Sequence, residues 1–165
     1  MTVLEDRFAI VVGGAGFVGS NLVRELLRRG ARHVLVVDNL LSAERENVPA
    51  DDRVTFVEGS ITDDAVLAGL PGETELIFHL ATFHGNQSSI ADPLADHENN
   101  TLTTLKLLER AKDLPQLEKI VYASAGCTVA EKTYEESAAT NEDAPVSLWH
   151  DSPYQISKII GEFYA

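Results

Sequence analysis

Apolar runs and helical patterns alternate along this chain from its start. Phe8-Ala9-Ile10-Val11-Val12 is a continuous apolar run closed by glycines, the pattern of a strand buried on both faces. Over residues 17–29, Phe17, Val18, Leu22, Val23, Leu26 and Leu27 recur at helical spacing, and Gly30 supplies a stop. A second buried strand, Val34-Leu35-Val36-Val37, ends at Asp38, and Val54-Thr55-Phe56-Val57 reads as a third. Asp63 and Asp64 open a short helix that ends near Gly69-Leu70-Pro71-Gly72. Leu76-Ile77-Phe78-His79-Leu80 predicts a fourth strand, and Lys119-Ile120-Val121-Tyr122-Ala123 a fifth. Between them, residues 94–113 predict one long amphipathic helix through Leu102, Leu105, Leu108 and Ala111. Residues 130–150 have little periodicity and carry Glu131, Glu135, Glu136, Glu142 and Asp143, so they read as a solvated acidic loop. Pro153 then opens a last helix, at the position where its missing N–H costs nothing.

Strands alternating with helices predict an α/β fold: a Rossmann-type doubly wound parallel sheet of about five strands, helices on both faces. Such sheets bind ligands beyond the carboxyl ends of their strands, at the switch point of strand order. The bulk numbers fit one domain, with 165 residues and 44% hydrophobic content. Acidic residues number 26 against 13 basic ones, a formal charge of −13. That balance speaks against a nucleic-acid or anionic-membrane partner, since phosphate surfaces need clustered Lys and Arg. The single cysteine, Cys127, excludes a disulfide framework and fits a reducing compartment. No apolar run is long enough to span a membrane, and the first residues lack signal-peptide order, so the expected location is cytoplasmic.

Two local patterns carry chemistry. Gly13-Gly14-Ala15-Gly16-Phe17-Val18-Gly19 follows a buried strand and opens a helix, the context in which glycines at 13, 16 and 19 read as a dinucleotide loop. Gly13 permits the tight turn, Gly16 lets backbone approach a pyrophosphate, and Gly19 allows close helix packing. The helix start then offers free N–H groups and a positive dipole end to the phosphates. Asp38 lies 19 residues beyond Gly19, where a carboxylate accepts hydrogen bonds from a ribose diol and repels a 2′-phosphate. The next residue is Asn39 rather than Arg, so the expected cofactor is NAD rather than NADP. The second pattern is Tyr154-Gln155-Ile156-Ser157-Lys158, which sets Tyr154 and Lys158 on one helical face. A tyrosine of pKa about 10 is a poor base at neutral pH, and a neighbouring ammonium brings it closer to use.

With these segments in hand, the chain resembles the extended short-chain dehydrogenase/reductase family, in its NAD-dependent epimerase/dehydratase branch. The segments are residues 13–22, Val37-Asp38-Asn39-Leu40, Phe78-His79-Leu80-Ala81, Glu98-Asn99-Asn100-Thr101-Leu102, and Ser152 through Lys158. The resemblance implies an enzyme whose bound NAD takes hydride from a nucleotide-sugar carbon and returns it, an epimerase. It implies that Gly13, Gly16, Phe17, Val18 and Gly19 hold the pyrophosphate, and that Asp38 with the turn Asn39, Leu40 and Ser42 holds the adenosine ribose. Leu80, Ala81 and Thr82 would line the cofactor, with Asn99 near it. Tyr154 would be the catalytic base and Lys158 would bind the nicotinamide ribose and tune Tyr154. A homodimer through a helix bundle is implied as well.

The chain departs from the family pattern in three places. After the third strand the family has Gly-Asp-Ile, the Asp facing adenine; here it is Gly59-Ser60-Ile61, where Ser60 and Ile61 would meet the cofactor and Ser60 can hydrogen-bond adenine as a neutral group, while Asp63 is out of register. After the fifth strand, Ala123-Ser124-Ala125-Gly126-Cys127-Thr128 lacks the usual pattern. An ungapped match sets Ala125 at the catalytic hydroxyl position, while a register shift brings in Ser124, the preferred assignment, or Thr128. An adjacent Asp-Glu pair is absent there, which argues against a dehydratase. Cys127 reads as a small buried residue, His79, His84, His97 and His150 show no metal-ligand spacing, and His84 and Trp149 are candidate pocket-lining residues. Family members are also considerably longer, so the chain reads as an NAD-binding domain without the C-terminal substrate domain, with apolar surface exposed at one side of the sheet. The competing readings are a non-catalytic or partner-dependent NAD-binding fragment, a nucleotide-sugar dehydrogenase/reductase, and an NADP reductase.

Overall fold

Alternate residues of the first strand enter two different cores. In β1 (Phe8–Val12), Ile10 and Val12 face one side of the sheet with Leu35, Val37 and Ile77, while Ala9 and Val11 face the other with Val34 and Val36. The computed structural model describes residues 4–83, 85–128, 141, 143–146 and 149–165. Among them, β1, β2 (His33–Asp38), β3 (Val54–Glu58), β4 (Leu76–His79) and β5 (Lys119–Tyr122) form one parallel sheet in the order β3-β2-β1-β4-β5. The chain winds outward through β2 and β3, then reverses to β4 and β5. The reversal leaves a crevice at the carboxyl ends of β1 and β4, as a doubly wound sheet requires. Most of the acidic stretch 130–150 lies outside the described residues, as do His84 and the side chain of Cys127.

Helices cover both faces. α1 (Phe17–Arg28) packs Val23, Leu26 and Leu27 on the Val11–Val36 side. On the other side lie Leu67 of α2 (Asp64–Ala68) and Leu107 and Ala111 of α5 (Thr103–Ala111). The helix starts follow the expected chemistry. Asp63 caps α2 by accepting the Ala65 N–H at 2.8 Å, and Ser152 caps α6 (Pro153–Tyr164), with Pro153 at its first position. Among the described residues no helix is long and apolar enough to cross a membrane.

Two elements differ from the expectation. α3 (Asn86–Ala91) is a six-residue helix whose sequence, NQSSIA, has too few apolar positions to show a period. The long helix over 94–113 is instead three segments, α4 (Pro93–Asp96), a π-helical turn His97–Leu102, and α5. Side chains here compete for the carbonyls of the preceding turn. Asn99 Nδ2 donates to Ala95 O at 2.9 Å, Thr103 Oγ1 to Asn99 O at 2.8 Å and Thr104 Oγ1 to Asn100 O at 2.7 Å. Such back-bonding loosens the regular ladder, and π turns of this kind concentrate at functional sites.

Gly19 shows how tightly the first βαβ unit closes. A Cβ there would lie 2.2 Å from the Gly13 carbonyl oxygen and 2.7 Å from Gly14 Cα, both backbone atoms that cannot step aside. It therefore packs on the loop itself rather than on the strand. Alanine would gain about 1 kcal/mol of helix propensity and lose about 1–3 kcal/mol or more to overpacking. Gly19→Ala is expected to lower the urea midpoint. Gly69→Ala is the control, because its Cβ would meet nothing nearer than Ala65 O at 3.4 Å. A raised midpoint in Gly19→Ala would show that the loop yields.

Candidate active site

The glycine loop forms the floor of an open cleft of about 280 Å³ at the carboxyl ends of the strands. Gly13 has φ 83°, and a Cβ on it would lie 2.5 Å from Ala81 N, so the loop and the segment after β4 approach as only glycine allows. Gly16 precedes α1, and its Cβ would touch only Gly13 O, at 3.4 Å. The face of the loop turned to the cleft is therefore open. The first bond of α1 runs from Ser20 N to Gly16 O at 2.9 Å, so the N–H groups of Phe17 and Val18 project from the helix start with its positive dipole end. Both side chains line the cleft and are exposed, Phe17 by 85% and Val18 by 64%.

Asp38 is buried at the end of β2 and its carboxylate is fixed from two directions. Oδ2 accepts the Ala15 N–H at 2.9 Å and Oδ1 accepts the Leu40 N–H at 2.9 Å. An ionised carboxylate has about four acceptor positions, so lone pairs remain for the cleft that Asp38 lines. Leu40 does not line the cleft. It turns with φ 55° and contributes its N–H to Asp38, whereas Asn39 and Ser42 do line it, with Leu41 beside them. Asn47 completes the clamp by donating Nδ2 to Ala15 O at 3.0 Å. Ala15 is thus held at both its N–H and its carbonyl. Nothing in the sequence singles out Asn47, because its partner lies 32 residues away.

Ser60 and Ile61 line the β3 end of the cleft, and Leu80, Ala81 and Thr82 the β4 end. Asn99 also lines it, joined by Thr103 one turn later. Asn100, the neighbour of Asn99, is buried and shapes the wall: its Oδ1 accepts Phe83 N at 2.7 Å and Thr82 Oγ1 at 3.1 Å. Its Nδ2 donates to Asp96 Oδ1 at 2.7 Å, and Ser157 Oγ donates a short bond to Asp96 Oδ2. Asp96 thereby joins the cleft wall to α6.

Tyr154, Lys158 and Ser124 do not line this cleft. They gather beyond the end of β5, the strand next to β4. Lys158 is buried, donates Nζ to Ala123 O at 2.9 Å, and sits 5.2 Å from the Tyr122 ring centroid and 5.8 Å from that of Tyr154. Two of the rings near it are neutral. Burial, then the Lys158 charge, holds His79 down from its ordinary 6.5 to about 3. Burial pushes Tyr122 up to about 12. Thr104 gives its proton to Asn100 O, so it must accept from His79 Nε2 at 3.0 Å. This assigns the Nε2–H tautomer and leaves Nδ1 without a hydrogen-bond partner among the described residues. Ser124 lies beside Glu162: its hydroxyl donates a short bond to Glu162 Oε1, and Thr128 Oγ1 is 3.1 Å from the same oxygen. Glu162 stands four residues beyond Lys158, on the same face as the Tyr–Lys pair. That spacing was the available signal for it. Trp149 is 84% exposed and does not line the cleft.

A family model described as the NAD dependent epimerase/dehydratase family matches residues 9–165. The chain belongs to that family. It is 39% identical over 162 residues to a UDP-glucose 4-epimerase of Mycolicibacterium smegmatis, covering 94% of this chain and 49% of the relative. Among solved structures it is similar to the Bordetella bronchiseptica enzyme WbmF in complex with NAD+ and UDP, with a TM-score of 0.82 and 57% identity. That match covers 98% of this chain and 44% of the other. The Thermus thermophilus UDP-glucose 4-epimerase complex with NAD matches with a TM-score of 0.82 and 36% identity, covering 95% and 49%. The chain therefore spans about half the length of the relatives it matches.

The state of His79 makes a prediction about pH. Unfolded, this imidazole takes a proton below its ordinary 6.5; folded, it does so only near 3. Its contribution is whole above pH 6.5 and is lost as pH falls toward 3. At about pH 5 the loss amounts to about 2 kcal/mol. His79→Gln is expected to lack this slope when urea unfolding is compared at about pH 7.5 and about pH 5. An equal slope in both proteins would show that His79 is not the group responsible.

Proposed function

We propose that the cleft binds NAD and that these residues are the cofactor-binding domain of a nucleotide-sugar epimerase of the short-chain dehydrogenase/reductase type. The observation that carries the cofactor is Asp38, a fixed carboxylate with acceptor positions left over, in a cleft that no described Lys or Arg lines. It suits a ribose diol and opposes a 2′-phosphate. The rest of the cleft fits the same molecule: an open glycine face at Gly16 and unpaired N–H groups at the start of α1 suit a pyrophosphate. The family's NAD and UDP complexes support both the cofactor and the substrate class. The grip on the sugar nucleotide would belong to a further domain.

When bound, NAD supplies a hydride acceptor beside the sugar carbon. The chain's own part is proton chemistry. Tyr154 Oη takes the proton of the sugar hydroxyl, and the Lys158 ammonium stabilises the phenolate that does so. Neutral His79 and neutral Tyr122 leave that ammonium without a rival charge from either ring. Ser124 directs its O–H to Glu162, so its Oγ would meet the substrate as a hydrogen-bond acceptor. The exposed Leu94, Leu105 and Ile156 on α4, α5 and α6 suit a homodimer through these helices. The single cysteine suits a cytoplasmic location.

Two measurements test this reading. Titration of the 165-residue chain is expected to show tighter binding of NAD than of NADP, and the reverse order would overturn the role of Asp38. In the protein carrying the substrate domain, Tyr154→Phe is expected to lower sugar-dependent turnover by about 100- to 10,000-fold with NAD binding unchanged. Retained turnover would remove Tyr154 from the mechanism.

A further inference from the structure

The dinucleotide site runs along the sheet in a fixed direction. With pyrophosphate over the glycine loop after β1 and ribose at the acid ending β2, as proposed above, the base would extend toward β3, the strand beside β2. There the cleft is walled by the apolar side chains of Leu41, Ala43 and Ile61, which suit the faces of a flat ring, and by the hydroxyl of Ser60. Asp38 is the only acid lining the cleft among the described residues. The carboxylate nearest in sequence to Ser60, Asp63, is turned away to cap α2.

Ser60 does not act alone. Its Oγ lies 2.8 Å from Thr62 Oγ1, a bond in which either oxygen can be the donor, and it accepts the Thr62 N–H at 3.1 Å. The turn that carries the pair is pinned, because Lys106 Nζ donates to Thr62 O at 2.7 Å while pairing with Asp64 at 2.8 Å. The pair therefore has two states of similar geometry and opposite polarity. When Ser60 donates to Thr62, its remaining lone pair accepts from a ligand. When Thr62 donates to Ser60, the Ser60 proton is released to donate.

We infer that the purine end of this cleft is read by the reversible Ser60–Thr62 hydroxyl pair, and that it accepts a 6-amino and a 6-keto purine dinucleotide alike. Adenine presents an amino donor to this position, and Ser60 accepts it. Hypoxanthine presents a keto oxygen, and the pair rotates so that Ser60 donates. A carboxylate here would only accept, and would leave a keto group facing a like partner. The inference rests on the dinucleotide reading above and adds the specificity of its base.

The test is equilibrium binding of NAD and of nicotinamide hypoxanthine dinucleotide to the 165-residue chain, followed by calorimetry. The two dissociation constants are expected to agree within about threefold. Ser60→Asp is expected to open a preference for NAD of about 10- to 100-fold. Ser60→Ala is expected to weaken both ligands by a similar factor. Wild-type preference for NAD beyond about tenfold would overturn the inference while leaving the dinucleotide site intact. So would a Ser60→Ala protein that loses only one of the two ligands. Binding of neither dinucleotide would instead overturn the reading of the cleft.

Discussion

The carboxylate of Asp38 is the interaction on which the candidate site depends. It accepts one N–H from the glycine loop and one from the turn after β2, and so ties the two segments together. A buried charge is tolerable only where hydrogen bonds compensate it, and bonds to a charged acceptor contribute about 1.5–3 kcal/mol each. The same arrangement that makes Asp38 affordable inside the protein also sets the shape of the cleft before any ligand arrives. Asn47 reinforces it from the opposite side of the same residue, Ala15. Pre-organisation of this kind reduces the ordering cost of binding. Asp38 has a structural role, and the recognition role proposed for it could not be separated from that by substituting it.

A second constraint joins the cofactor cleft to the Tyr154–Lys158 cluster. Asp96 is 1% exposed and takes hydrogen bonds from Asn100 and Ser157. Asn100 holds Thr82, in the cleft wall, and the Phe83 N–H after it, and Ser157 stands next to Lys158 on α6. Thr101 Oγ1 donates to Ser157 Oγ at 3.1 Å and closes the network. The π turn carries both ends of this link: Asn99 lines the cleft while its neighbour Asn100 faces the buried carboxylate.

What the sequence made legible follows from how local each signal is. The five strands are short apolar runs between turn residues, and the parallel sheet follows from their alternation with helices. The glycine loop and Asp38 are readable because each role follows from its position on one strand–loop–helix unit. The segments that were missed depend on partners far along the chain. α3 has no apolar period to reveal it. The interruption of the helix after Pro93 is made by side-chain bonds that compete with the backbone, and the apolar spacing of Leu102, Leu105 and Leu108 conceals it. Asn47, Asp96 and Glu162 act on residues 32, 61 and 38 positions away. No periodicity connects such pairs, so the folded chain is what shows the partners, even for Glu162, whose spacing from Lys158 marks its helix face.

The segment after β5 illustrates the same point through chemistry. By register alone, Ala125, Ser124 and Thr128 all competed for the role of catalytic hydroxyl. In the fold, Ser124 donates to Glu162 Oε1. Thr128 Oγ1 lies 2.8 Å from Ala125 O and 3.1 Å from the same Glu162 oxygen, and its one proton serves the shorter contact, closing the turn Gly126–Thr128. The bond to Glu162 fixes the polarity of Ser124. With its proton directed to Glu162, Ser124 presents lone pairs outward. In the proposed reaction it would accept from a sugar hydroxyl and could not donate to a developing alkoxide unless that bond breaks. The proton would then fall to Tyr154, whose neighbouring ammonium is held in place by the Ala123 carbonyl at the end of β5. On that reading the hydroxyl would orient the substrate and the Tyr–Lys pair would move the proton, a division of labour set by one glutamate two turns beyond Tyr154.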